Sequence, residues 1–224
     1  MAMEVKTANR GKISLKGSTK LIVEFFGKNI IFDGIFDFFF NAKVHYSIFF
    51  QRGVYPAEDF KWVKKYGLNV LMTLDDNVKL YLKRLLNQIE SWLMAGKVDK
   101  LVLAIISCET RETLERWQFE IEVIDENKTQ DISIRKDKSY EEIQKEIQGI
   151  IRQITASVSF LPVLEDKCTF SILAYTDKDI EVPAEWRDGD PHLIPNAEQV
   201  RLRSFSTMVH KVHAQVAYKL GDEV

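Results

Sequence analysis

Histidine, cysteine and paired carboxylates are the side chains that could do chemistry in this chain, and their spacing argues against catalysis. The four histidines are His45, His192, His210 and His213. None has a Cys or Glu partner at metal-ligand spacing, and on a strand His210 and His213 point to opposite faces. They are expected to be surface groups. The two cysteines, Cys108 and Cys168, each sit inside an apolar run. That placement suits buried thiols in a reducing compartment better than a disulfide framework, and it points to a cytosolic or nuclear protein. The carboxylate pairs Asp75-Asp76 and Glu141-Glu142 stand at expected helix starts, where they complement the macrodipole. No phosphate loop, nucleophile elbow or Cys-x-x-Cys pair occurs, so neither an enzyme nor a cofactor is expected.

Bulk composition narrows the partner class. With 31 basic and 33 acidic side chains and a formal charge of -2, the 224-residue chain has no net attraction for phosphate backbones or anionic membranes. Lys28, Asp33, Asp37 and Lys43 break up the stretch from Phe25 to Phe50, so no membrane-spanning helix is expected there. The polar N-terminus lacks a signal-peptide core. Neither nucleic acid nor membrane is an expected partner. At 46% hydrophobic residues the chain can bury one substantial core, and a single domain over 1-224 is expected.

Several elements must build that core. Gly17-Ser18-Thr19 precedes Leu21, Ile22, Val23, Phe25 and Phe26, which predicts a helix capped by Ser18. Val78, Leu82, Leu85, Ile89, Trp92 and Leu93 form one helical stripe closed by Gly96. Leu101 to Ser107 and Leu114 to Val123 read as a hairpin of central strands, with Trp117, Phe119, Ile121 and Val123 sharing a face. Ser139 and Glu142 fit a capping box. They open a helix whose buried stripe is Ile143, Ile147, Ile150, Ile151, Ile154, Val158 and Leu161, ended by Pro162. A strand from Cys168 to Tyr175 follows, then a breaker-rich segment with Pro183, Pro191 and Pro195, then a terminal ribbon in which Val209, Lys211, His213, Gln215 and Ala217 alternate with their neighbours. The expected class is α+β, three main helices on a mostly antiparallel sheet.

Read together, ISLKGS (13-18), QRGVYP (51-56), KKYGL (64-68), LERWQFEIE (114-122), IRQITASVSFLPVLE (151-165), YTDKD (175-179), VPAEW (182-186) and VRLRSFSTMVHKV (200-212) resemble the HORMA-domain family, specifically its spindle-checkpoint branch. The resemblance implies a core over 17-176 and a mobile safety belt over 177-220. In an open form the terminal ribbon covers the sheet edge meant for a ligand. In a closed form it lies on the other side of the sheet, and the belt fastens over a partner's extended segment. The implied partners are a coiled-coil kinetochore checkpoint protein, the activator of the anaphase-promoting complex, a self-dimer of open and closed conformers, and a remodelling ATPase with its HORMA adaptor. Localisation at the nucleus, kinetochore and cytoplasm goes with that role.

By motif match, Arg152, Gln153 and Phe160 stand at dimerisation positions. Trp92, Trp186, Val212 and Tyr218 stand at belt-closure or ligand-capture positions, and Leu15 at one that sets the conformer balance. His210 also matches, without an assigned role. Packing is the competing reading for the four belt residues and for Phe160, and a solvated helix face for Arg152. The other readings of the whole chain are a meiotic axis protein, a translesion polymerase accessory subunit, and a nonfunctional isoform.

That last reading arises from residues 27-41, GKNIIFDGIFDFFFN, which interrupt the first helix. Dropping them joins Phe26 to Ala42 and restores a continuous amphipathic pattern. The insertion has the composition of a translated AT-rich noncoding stretch, so a retained intron or gene-model artefact is one reading and a lineage-specific loop the other.

Overall fold

The computed structural model describes residues 15-26, 44-65, 67-124 and 138-220. Its four α-helices are α1 (Leu15–Phe26), α2 (Val44–Gln51), α3 (Asp76–Met94) and α4 (Tyr140–Ala156). Strands β1 (Phe60–Lys65) and β2 (Leu68–Thr73) form a small hairpin that the sequence patterning did not reveal. The main sheet has the order β5-β3-β4-β7-β6, from β3 (Val98–Ser107), β4 (Thr113–Val123), β5 (Cys168–Thr176), β6 (Glu198–Ser206) and β7 (His210–Tyr218). Every pairing in it is antiparallel.

One face of this sheet carries the core. Leu101, Leu103 and Ile105 of β3, Trp117, Phe119 and Ile121 of β4, and Val212, Ala214 and Val216 of β7 are all buried. Helix α1 runs through the middle: Phe25 packs edge-on against Phe119 and Phe205 at 5.9 and 5.0 Å, and Phe26 against Phe119 at 5.1 Å. Such edge-to-face pairs add a directional term to area burial. Phe49 of α2 and Tyr81 of α3 meet Phe170 of β5 on the same side. The opposite face of β4 alternates Arg116, Gln118, Glu120 and Glu122, as one-sided burial requires.

Helix ends follow the predicted chemistry. Asp75 caps α3 by accepting from the amides of Asn77 and Val78, and Gly96 takes φ +65° just past its C-cap. Ser139 and Glu142 form the reciprocal capping box of α4. Two boundaries differ from expectation. Ser18 lies inside α1 rather than capping it, and it uses its hydroxyl for a tertiary contact. Helix α4 stops at Ala156 and passes into a short 3-10 turn, Ser157–Ser159, before Pro162 is reached. That early stop rotates Val158 off the buried stripe, leaving it 47% exposed, while Leu161 stays in the core. Residues 27-41, where the insertion is placed, and most of 125-138, the charged linker, fall outside the described residues. No helix among the described residues is long and apolar enough to cross a membrane.

Candidate functional site: a sheet edge beneath a strap

Strand β5 has β3 on one side and, among the described residues, no strand on the other. An unpaired edge displays a row of main-chain donors and acceptors ready to accept another strand. Its side chains are mostly half-buried, with Phe170, Ile172 and Ala174 resting on the core. The edge is therefore apolar on the helical side and open along its hydrogen-bonding rim.

Residues 177-197 leave the end of β5 and travel past this edge as a strap. At its start, the Asp177 amide donates to the Lys97 carbonyl, and Lys97 Nζ lies 2.8 Å from Asp177 Oδ2. The ion pair raises the lysine's pKa, chiefly through the hydrogen bond from its ammonium to Asp177. Trp186 then meets Trp92 of α3 edge-on at 4.7 Å, and Ile180 packs nearby on the core. The strap crosses β5 over Leu173, where a Cβ on Gly189 would stand 3.1 Å from Leu173 Cδ2. On the polar face of the sheet Arg116 Nε donates to the Pro191 carbonyl at 3.2 Å, and the Thr113 hydroxyl pairs with His192 Nδ1 at the same distance. The strap is thus buckled to α3 on one side and to β4 on the other, with the bare β5 edge between.

The terminal hairpin β6-β7 lies at the far side of the sheet. Nine residues of β7, His210 through Tyr218, register with β4 from Val123 back to Glu115. Val212 is buried against Ile121, and Phe205 reaches α1. At the hairpin turn Ser18 Oγ lies 2.6 Å from both Thr207 Oγ1 and His210 Nδ1. Thr207 Oγ1 also accepts from the amides of Val209 and His210. Burial pushes the His210 pKa down to about 4, so the ring is neutral at physiological pH. The surface placement expected for the histidines fails here and at His45: both are buried and both have polar partners. A histidine inside a hydrophobic alternation could have signalled this.

Opposite His210, Arg52 from the turn after α2 donates through Nε to Glu115 Oε1 at 2.6 Å and through Nη2 to the Pro162 carbonyl. Glu115 Oε2 accepts from Trp117 Nε1 at 3.0 Å. Burial pushes the Glu115 pKa up even beside Arg52, the sign of a pair whose desolvation outweighs its attraction. This bridge joins α2, β4 and the end of α4. Sequence reasoning missed it, although an acid two residues before an inward Trp demands a cation.

The predicted site residues separate into two places. Trp92 and Trp186 meet under the strap, while Val212 is wholly buried in β7. Arg152 and Phe160 are exposed at the end of α4, Phe160 by 41%, so its core alternative does not hold. Gln153 is committed within the chain, accepting from the Arg203 amide at 2.5 Å. Tyr218, grouped with the belt by motif, stands beside Phe160 at 6.3 Å instead. Leu15, at the first turn of α1, is exposed. Among the described residues no group of three metal-binding side chains occurs.

The sequence profile of the HORMA domain matches residues 39-210. The mitotic spindle checkpoint component mad2 of Schizosaccharomyces pombe is 50% identical over 213 residues, covering 95% of this chain and 97% of its own. The human mitotic spindle assembly checkpoint protein MAD2A is 44% identical over 97% of this chain and 98% of its own. A chain in a crystal structure of the mitotic checkpoint complex superposes with a TM-score of 0.75 at 48% identity, covering 91% of this chain and 99% of that one. The Caenorhabditis elegans protein HTP-2, solved bound to the HIM-3 closure motif, shares the fold alone, with a TM-score of 0.69 at 13% identity over 98% of this chain and 99% of its own. With the profile spanning most of the sequence and relatives aligned along nearly its whole length, the chain belongs to the HORMA-domain family.

Proposed function

We propose that this chain is a spindle assembly checkpoint adaptor, not an enzyme, that clasps an extended segment of a partner between strand β5 and the strap 177-197. The observation that carries the reading is the arrangement of the sheet: the β6-β7 hairpin is on β4, the β5 edge is bare, and the strap passes that edge anchored on both sides. This is the closed arrangement, in which a partner strand adds by main-chain pairing and its alternate side chains face the half-buried Phe170, Ile172 and Ala174. The likeness to a chain of the mitotic checkpoint complex supports the activator of the anaphase-promoting complex as a clasped partner; a coiled-coil kinetochore protein is the second, and the chain works at the kinetochore and in the nucleus.

Arg152 and Phe160 form the exposed part of the self-dimer face. Tyr218 adjoins Phe160 only because β7 is on β4, so that face differs between conformers. A remodelling ATPase with its HORMA adaptor reopens the clasp through the segment before Gly17. The test is binding of labelled peptides carrying a basic residue, two apolar residues and a downstream proline. Tight, slowly dissociating binding that weakens on Trp186→Ala is expected. Absence of binding by a cooperatively folded chain would remove the clasp reading.

A further inference from the structure

Beneath the strap, on the polar face of the sheet, lies a second cleft, of about 410 Å³. Its floor is Arg116 and Gln118 of β4 with Gln215 of β7, its rim includes Lys100 of β3 and Gln199 of β6, and the strap closes it with Ile194. No carboxylate lines it. Arg116 is only 7% exposed, yet its partners are all neutral: the Pro191 carbonyl, the Gln118 side-chain oxygen and the Tyr175 hydroxyl. Lys100 Nζ stands 4.8 Å from the centroid of the same Tyr175 ring. Glu120, the cross-strand neighbour of Lys100, lies outside the lining and accepts from Gln118 Nε2 at 2.7 Å. Two cations thus converge on one cleft whose own lining supplies no carboxylate, an arrangement that a bound anion would complete.

We infer that this cleft binds a small oxyanion, with the guanidinium of Arg116 and the ammonium of Lys100 as its charge partners and the Gln118 and Gln215 amides as neutral donors. A planar guanidinium matches phosphate and carboxylate oxygens, and such charge-assisted bonds are about twice as strong as neutral ones. The site is distinct from the peptide edge. Strand β4 is two strand spacings from β5, about 10 Å, which puts Arg116 out of reach of an added strand's main chain. It also exists only while β7 pairs with β4 and the strap crosses them, because those elements supply Gln215, Gln199 and Ile194. An anion held there binds one conformer and shifts the balance toward it. Only that selectivity, and not the binding itself, rests on the clasp reading.

The experiment titrates inorganic phosphate, and separately acetate, into the full chain by calorimetry at constant ionic strength, with the glutamine side-chain amides followed by NMR. Saturable binding of one anion per chain, with shifts at Gln118 and Gln215, is expected. Lys100→Gln should weaken it about tenfold, the loss of one charge-assisted bond, while leaving peptide capture unchanged. Binding of both anions marks a general oxyanion site, and binding of phosphate alone a phosphoryl-selective one. In phosphate, wild-type chain should release its peptide more slowly, and Lys100→Gln should need about tenfold more phosphate for the same slowing. No saturable binding, shifts confined to other residues, or equal affinity in Lys100→Gln would overturn the inference. Peptide capture, read in the same samples, would then stand or fall separately.

Discussion

Deleting residues 27-41 should stabilise the protein, because α1 and α2 are placed as two parts of one helix. His45 Nδ1 lies 2.6 Å from the Phe26 carbonyl oxygen, and the Phe26 and His45 rings are 6.0 Å apart. Those residues are 19 apart in sequence; after the deletion they are four apart, the spacing at which helical side chains stack over one another. Ala42 and Lys43, both good helix formers, would bridge Phe26 to Val44. Joining the two segments through 15 additional residues costs about (3/2)RT ln n, roughly 2.4 kcal/mol, which the deletion returns. Rejoined main-chain bonds at the two former helix ends add to this at about 1 kcal/mol each net. A gain of at least about 2 kcal/mol corresponds to a rise in Tm of roughly 4-8 °C for a chain of this size. Reversible denaturant unfolding of both forms, followed by circular dichroism, measures the difference. A deleted chain with a lower midpoint, or without a cooperative transition, would refute the single-helix reasoning.

Further tests probe the bridges the sequence did not announce. Arg52→Met should destabilise by about 3 kcal/mol by leaving Glu115 buried and unpaired, and adding Glu115→Gln should recover much of the loss in denaturant midpoints. The neutral His210 contributes stability that is fully present above pH 6.5 and is lost as pH falls from there through about 4, since its folded pKa is depressed. The loss should reach about 2 kcal/mol near pH 5, and His210→Gln should flatten that part of the profile. Trp186→Ala removes the edge-on contact with Trp92, worth about 1 kcal/mol, and should speed release of a clasped peptide severalfold while leaving the core's melting unchanged.

What could be read from the sequence was whatever repeats with a period. The stripe of α3, the capping box of α4 and the inward alternation Trp117, Phe119, Ile121 each came from residues local to one element. Val123 shared that alternation but is exposed, because the period says which face a residue takes and not where the partner strand's cover ends. The short strand β1 escaped notice since Lys61, Lys64 and Lys65 interrupt its apolar pattern, and its partner β2 is only six residues long. Long-range polar contacts escaped for a different reason. Ser18 and His210 are 192 residues apart, and nothing in either neighbourhood specifies the other. The motif match located Trp92 and Trp186 without saying that they touch, and it grouped Tyr218 with them although its ring lies beside Phe160.

The way the strap and the hairpin are held differs, and that difference divides the work of the clasp. The strap is secured at discrete points: an exposed ion pair that solvent screens, one aromatic contact, and two long hydrogen bonds on the polar face. Segments with so few buried contacts open locally at small cost. The hairpin instead has a nine-residue register with β4, the buried Phe205, Val212, Ala214 and Val216, and the Ser18-Thr207-His210 cluster that pins its turn to α1. Each buried apolar side chain alone contributes about 1.5-3 kcal/mol, so moving the hairpin demands far more than lifting the strap. Loosening the strap therefore governs access to the β5 edge, whereas exchange of conformers requires the turn at His210 to leave α1. Any factor that unwinds the first turns of α1 at Ser18 acts on the second step and leaves the first untouched.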